Sequence, residues 1–360
     1  MNKIKFGIDK LQLYLLGFPH LFQSMILIYP ILFLNIFTNI HKCRYLNKFS
    51  VGLLLLYFSF FSLFVRDGSV NFIFSAMSYY LGIIIFYLTF KLSDNLKIGL
   101  NYVLLFLCLI LIEFIFLKYD IFIYSEFHSS RTSLSESYYR VLGPALNSSI
   151  SSVILSTIFF YYLRQMVLLK AYKILNFLLA FFILFCFLLC FSITGFISFI
   201  IIFIYFLFQG VRKLNLLHLT FIKGKFGYLL ATILISLFLF FFYLKYSEIR
   251  DFDNYFLEVL LLKNLDLSEF TIRDLFLGIN LSDESPDNLG GDFAILRFSE
   301  HCGLFFLLPF VFYIFWVCKP SNRIFLFVAL AASFHYGVIF SLTGNFFFAM
   351  VMTDSFDVES

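Results

Sequence analysis

The sequence predicts an all-α, polytopic integral membrane protein with about ten transmembrane helices, within a range of roughly nine to twelve. Hydrophobic residues make up 61% of the 360 residues and charged residues only 13%, which lies far outside the composition of soluble globular domains. The charge-poor runs repeatedly approach the length that crosses a bilayer. Lysine and arginine concentrate in alternate short loops, as in multi-pass proteins. We expect a single membrane-embedded domain over residues 1–360.

The predicted spans follow from the apolar runs between charged residues. They lie near residues 12–38, 50–65, 69–90, 99–117, 146–163, 174–191, 194–210, 226–244, 302–318 and 324–342. The stretch from Leu175 to Gly210 carries no charge and is too long for one crossing. FSITGF, around Gly195, offers a break, so we expect a hairpin of two spans there.

Loop charge sets the predicted orientation. The basic loops lie at residues 42–48, 91–97, 164–173, 212–225 and 319–323. They are expected on the cytoplasmic side, which places a smaller loop, 119–145, and a large loop, 246–301, outside. The side of the amino terminus stays open, because Lys3, Lys5 and Lys10 would lie outside if the first run crosses once.

The large outer loop holds more than half of the chain's 22 acidic residues. Loops of this length are usually functional. Apolar residues at Phe252, Phe256 and Val259 follow helical spacing, which predicts an amphipathic helix at the membrane surface. The segment DFAILRFSEH predicts a second helix, with Asp292 at its start and Arg297 and His301 on one face.

The segment YYRVLGPALNSS leads from the smaller outer loop into the span at 146–163. Pro144 suits the first turn of a helix, so we expect the helix to begin there. Its unpaired N–H groups, together with Asn147 and Arg140, would form an anion site at the membrane interface. An equally good interpretation makes Arg140 a headgroup anchor.

Glu113 is an acidic residue within the apolar segment LLFLCLILIEFIFLK. Such a residue at membrane depth is a functional candidate by default. It is expected either to pair with an outer arginine or to extend towards the interface. The six cysteines are scattered and form no disulfide framework or metal quartet, so no metal and no cofactor are expected.

Three segments resemble the bacterial O-antigen polymerase (Wzy) family and the related O-antigen ligases. YRVLGPALNSS resembles the arginine-glycine-asparagine segment that opens a mid-chain span in this family, and SITGFISFIIIF resembles the next recurring segment. RDLFLGIN followed by GDFAILRFSEHCGLFF resembles the third. Two positions depart from the family pattern: Asn280 replaces the second glycine of the third block, and Cys302-Gly303 replaces the more usual aromatic-glycine pair. The outer-loop histidine motif of the ligases is not clearly present, which favours a polymerase.

The resemblance implies a metal-independent, GT-C-like glycosyltransferase of the bacterial inner membrane. It would join undecaprenyl-diphosphate-linked oligosaccharide repeat units on the outer face, producing O-antigen or capsular polysaccharide. Arg140, with Arg273 or Arg297, would hold the diphosphate, and the general base would be Asp292, Glu300 or His301. Asp292 as a helix cap and His301 at headgroup level remain open interpretations.

The expected partners are the lipid-linked oligosaccharides and the bilayer, with a chain-length regulator and a flippase as further partners and no nucleic acid. Two other functions stay open at this point. One is a flippase for lipid-linked oligosaccharides, for which two similar halves and charges spread through the spans would be expected. The other is an O-antigen ligase.

Overall fold

A computed structural model describes residues 48–57, 70–92, 99–119, 133–135, 138–168, 174–216 and 303–353. It also describes separate residues at 32–38, 233–244 and 276–298. The described chain is mostly helical, as predicted. Its internal contacts divide it into two compact units, Met1–Leu105 with Ser268–Ser360 and Phe106–Leu267. The boundary falls within a helix, and the expected single domain stays a prediction.

Most of the helices lie close to the predicted apolar runs, but the last one lies beyond them. The first three are α1 (Lys48–Tyr57), α2 (Val70–Leu92) and α3 (Gly99–Lys118). The middle three are α4 (Ser148–Leu168), α5 (Ile174–Cys190) and α6 (Ile193–Leu216). The last three are α7 (Leu304–Val317), α8 (Arg323–Ala332) and α9 (Leu342–Thr353), with a 3-10 turn at Pro320–Asn322 before α8.

A short antiparallel hairpin lies in the segment 119–145, where the sequence predicted no strand. Strand β1 (Ser133–Ser135) pairs with β2 (Tyr138–Tyr139), with Ser133 opposite Tyr139. β2 ends directly before Arg140. The hairpin therefore delivers the chain in an extended conformation to the residues that precede α4.

One described helical segment, Leu100–Lys118, is by itself long and apolar enough to cross a membrane. The pair Leu304–Val317 and Pro320–Ala332 would be a second, although its two parts are bent by 116°. These segments are weakly compatible with membrane association. The count of ten spans stays a prediction, and the predicted runs at 12–38 and 226–244 lie mostly outside the described residues.

The unit that contains the chain termini has an aromatic core between α2, α3 and α9. The Phe346 ring lies 5.5 Å from Phe86, 5.3 Å from Phe90 and 5.3 Å from Tyr102, centroid to centroid. Such edge-on and tilted ring pairs add to the stabilisation from burial. The residues of α9 are buried almost throughout, so this short helix forms the centre of its unit.

The predicted span at 324–342 is wrong. Residues 333–341 form a succession of turns that separates α8 from α9. The hydroxyl of Ser333 accepts a hydrogen bond from the Ile339 N–H (3.1 Å) and donates one to the Ala329 carbonyl (2.8 Å). Because this hydroxyl satisfies backbone groups of the turn, the chain reverses inside an apolar run that the sequence pattern reads as continuous.

In the other unit, α4 packs against both α5 and α6. The Phe199 ring is 4.7 Å from Phe160 and 5.4 Å from Phe187. The predicted break in the apolar run is confirmed at residues 191–192, where Phe191 has a φ of 40°. A Cβ on Gly195 would collide with the Ser152 side chain, so this glycine permits the close approach of α6 to α4.

Candidate functional site

The residues that lead into α4, here termed the entrance loop (residues 140–147), contain both described members of the predicted binding set. Arg140 begins the loop and Asn147 ends it. Gly143 has a φ of 71°, and the Leu146 N–H donates to the Gly143 carbonyl at 2.9 Å. Pro144 lies inside this turn, and α4 begins only at Ser148. The expectation that the helix begins at Pro144 is therefore wrong.

Asn147 is the N-cap of α4. Its side-chain oxygen Oδ1 accepts hydrogen bonds from the Ser149 N–H at 2.8 Å and the Ile150 N–H at 3.2 Å. An N-cap side chain satisfies these N–H groups in place of water or a ligand. The sequence predicted that the N–H groups of the first helical turn are unpaired. For Ser149 and Ile150 this prediction is wrong. An anion at this site must therefore rely more on Arg140 than on the helix end.

Glu113 of α3 holds the entrance loop by its backbone. Oε1 accepts from the Leu142 N–H at 2.8 Å and Oε2 accepts from the Gly143 N–H at 2.7 Å. The residue is only 5% exposed. Both carboxylate oxygens accept hydrogen bonds from the loop backbone. The sequence suggested an arginine partner or an extension towards the membrane interface, so the observed partner was not predicted.

Two further helices fix the same loop. The Val141 N–H donates to the Leu189 carbonyl of α5 at 3.0 Å. The Ser151 hydroxyl of α4 donates to the Leu142 carbonyl at 2.7 Å. A Cβ on Gly143 would meet the Ser151 side chain at 2.5 Å from its Oγ. Three helices thus clamp residues 141–143, directly after Arg140.

Arg140 is partly exposed, whereas Val141 and the next residues are buried. The clamped backbone therefore follows directly after the residue that carries the charged side chain. Arginine suits a phosphate group because its planar guanidinium can donate two parallel hydrogen bonds. The described geometry provides a rigid base for such a side chain at the entrance to a helix.

Small polar side chains line the contact between α4 and the start of α6. The Ser192 hydroxyl donates to the Ser149 hydroxyl at 2.8 Å, and the Ser152 hydroxyl donates to the Ser148 carbonyl at 2.7 Å. All four serines are buried. NSS and SITGF lie more than 40 residues apart in the sequence, and no local pattern predicts that they meet. The signal was the four-residue spacing of Ser148, Ser152 and Ser156, which is typical of close helix packing.

The other predicted site residues lie outside the described residues. They are Asp292, Glu300, His301, Arg273 and Arg297. Neighbouring Ala294, Ile295 and Phe298 are helical and buried, and the Ile295 N–H donates to the Ser333 carbonyl at 3.2 Å. A helix beginning near Asp292 agrees with these three residues. The catalytic and binding roles of the five stay predictions.

Fold and site together define a mostly helical chain with at least one long apolar helix and a clamped loop that carries an arginine at a helix entrance. Searches against protein-family models, curated proteins and solved structures found no match.

Proposed function

We propose that this protein is a polymerase that joins undecaprenyl-diphosphate-linked oligosaccharide repeat units on the outer face of the bacterial inner membrane. Three segments in order support the proposal through their resemblance to the O-antigen polymerase family. The observation that carries it is the entrance loop, because one of those segments, YRVLGPALNSS, forms it. Its arginine follows the β-hairpin and precedes a backbone clamped from three helices.

The proposed reaction transfers a sugar chain from one lipid carrier to the next repeat unit. A hydroxyl of the incoming unit attacks the anomeric carbon of the growing chain, and the bond from that carbon to the diphosphate oxygen breaks. The hydroxyl proton passes to a base, for which Asp292, Glu300 and His301 are the candidates. The undecaprenyl diphosphate leaves with the electron pair.

Arginines serve this reaction because negative charge develops on the departing diphosphate. Arg140, with Arg273 or Arg297, would stabilise that charge through oriented hydrogen bonds. A diphosphate held in this way is a good leaving group without help from a metal ion. The acidic excess of the loop 246–301 tolerates neutral sugars and leaves its few arginines as the anion-binding groups.

The proposed topology has about ten spans, with loops 119–145 and 246–301 outside. The entrance loop then lies near the outer membrane–water boundary, where the diphosphate of a lipid-linked substrate also lies. Single cysteines at Ser133 and Ser285 should react with a membrane-impermeant thiol reagent in spheroplasts, whereas one at Asn215 should not. Reaction at Asn215 alone would invert this topology.

The decisive experiment is polymerisation of a synthetic undecaprenyl-diphosphate repeat unit by the purified protein. A ladder of products that lengthens with time supports the proposal. Transfer of single units to a lipid A-core acceptor without a ladder indicates a ligase instead. In cells, deletion should leave surface glycan with one repeat unit. Loss of all exported glycan, with no polymerisation in vitro, would indicate a flippase and overturn the proposal.

A further inference from the structure

The position of Glu113 raises a question that the proposed reaction does not answer. The residue lies five positions before the end of α3, and its side chain is almost fully buried. A charged group in an apolar setting is unfavourable by several kcal/mol unless it is well paired. Its two backbone partners, Leu142 and Gly143, offset that penalty through charge-assisted hydrogen bonds.

The two backbone N–H groups favour a side chain that offers an acceptor to each of them. Each carboxylate oxygen faces a different N–H, at 2.8 and 2.7 Å. A glutamine in this place would turn its NH₂ group towards one of the two N–H groups, so that two donors would face each other. A protonated carboxyl can turn its O–H away and still accept through both oxygens, but it accepts less strongly than a carboxylate. Glutamate therefore suits this site better than glutamine does.

These bonds belong to a set that satisfies five backbone groups of a short segment. The N–H groups of Val141, Leu142 and Gly143 donate to Leu189 and to Glu113, and the Leu142 carbonyl accepts from Ser151. The Gly143 carbonyl accepts from the Leu146 N–H. Each backbone group named here has a partner within its unit. The segment next to Arg140 therefore has one defined conformation.

We infer that Glu113 is a positioning residue that fixes the backbone from which Arg140 reaches the diphosphate of the lipid-linked substrate. The inference rests on the proposed function for the identity of that ligand. Two-pronged recognition requires the guanidinium to be held to within about 0.5 Å and 10–20°. Because both oxygens of Glu113 are bonded to the loop, its role is to orient Arg140 and not to exchange a proton with the substrate.

The first test is steady-state polymerisation by the Glu113→Gln variant. We expect kcat to fall about tenfold to a hundredfold, with a smaller change in KM, because the leaving group is stabilised mainly in the transition state. In an Arg140→Lys background, which lacks the planar fork, the same change should reduce activity less than twofold. Equal losses in both backgrounds would mean that Glu113 acts independently of Arg140, and would overturn the inference.

Thr157→Val is the matched control. Thr157 is also buried in this unit, and its hydroxyl donates to the Val153 carbonyl of its own helix, at 3.0 Å. We expect this variant to keep its activity within about twofold. If Glu113→Gln proves too unstable to purify, Ser151→Ala removes a different bond to the same segment. It should give a smaller loss with the same dependence on Arg140.

A second measurement is independent of activity. Amide hydrogen exchange of a peptide covering residues 140–147 should be faster in Glu113→Gln than in the wild type, and unchanged in Thr157→Val. Unchanged exchange in Glu113→Gln would overturn the clamp. If the wild-type protein makes no polymer, the proposed function fails, and the exchange result still decides whether Glu113 holds this loop.

Discussion

The entrances to α4 and to α9 solve the same structural problem with different side chains. Each helix follows a tight turn and has a polar N-cap, Asn147 for α4 and Ser341 for α9, whose hydroxyl accepts from the Gly344 N–H at 3.1 Å. Each entrance also has a glycine at which a Cβ would collide: Gly143 of the first turn with Ser151 of α4, and Gly344 of α9 with the Val338 carbonyl of the second turn. The α9 turn is held by the hydroxyl of Ser333, whereas the α4 turn is held by a buried carboxylate.

The difference indicates that a turn in apolar surroundings does not need a charge to hold it. Residues 333–341 include no acidic residue, lysine or arginine, and among the described residues the hydroxyls of Ser333 and Ser341 accept from the Ile339 and Gly344 N–H groups. A carboxylate before α4 carries a desolvation penalty that the α9 turn avoids. We therefore interpret the charged clamp as a feature of function, and the α9 turn serves as an internal control for stability alone.

The largest effect is expected at Arg140. Arg140→Ala should lower polymerisation at least about a hundredfold, since it removes a group that stabilises the leaving diphosphate. Arg140→Lys should keep only part of the activity, because an ammonium lacks the planar fork. The measurement is the glycan ladder normalised to membrane protein by immunoblot. A full ladder from Arg140→Ala at normal abundance would refute the anion site and leave Arg140 as a headgroup anchor.

The two glycines separate positioning from stability. Gly143→Ala forces an L-residue into the left-handed region, at about 1–2 kcal/mol, and adds a collision with Ser151. We expect activity per molecule to fall about tenfold or more. Gly344→Ala adds a collision with the Val338 carbonyl and should lower the thermal midpoint while leaving the activity of the folded fraction unchanged. Equal activity losses in both variants would show that the α4 entrance is no more important for function than the α9 entrance.

Much of the helical pattern could be predicted because charged residues separate the apolar runs from one another. The runs at 69–90, 99–117 and 174–191 match α2, α3 and α5 to within a few residues. The turn between α8 and α9 could not be predicted, since backbone bonds within the turn and two serine hydroxyls hold it inside a run that remains apolar. Hydropathy predicts whether a segment lies in apolar surroundings. It does not predict whether the chain changes direction within that segment.

The candidate site was predictable only in part. Arg140 and Asn147 could be selected because their residue types suit an anion at a helix entrance. The bond from Glu113 to Leu142 joins residues 29 positions apart, and no local pattern encodes such a contact. The N-cap was readable from the sequence, since asparagine is a preferred cap. The preference of proline for the first turn of a helix placed the predicted start at Pro144, four residues before the observed start.

Ser333→Ala tests the neutral turn directly. It leaves the Ile339 N–H without its side-chain acceptor, a loss of about 1–3 kcal/mol for a buried donor. We expect a lower midpoint of thermal unfolding in detergent, with polymerisation per folded molecule within about twofold of wild type. A loss of activity that exceeds the loss of folded protein would show that the α9 turn also contributes to function.

The smallest effects are expected at the two caps, where the substituents can be matched. Asn147→Ala and Ser341→Ala should each destabilise the protein by about 1 kcal/mol, because each removes an acceptor for N–H groups of a first helical turn. Asn147→Ser keeps a capping oxygen and should restore most of that stability.

Asn147→Asp keeps the cap as well, but places a negative charge beside the proposed diphosphate site, so KM for the lipid-linked substrate should rise several-fold. The comparison requires thermal unfolding and steady-state kinetics on the same preparations. If Asn147→Asp leaves KM unchanged while Asn147→Ser restores stability, Asn147 is a cap alone, and substrate binding at the entrance loop depends on Arg140.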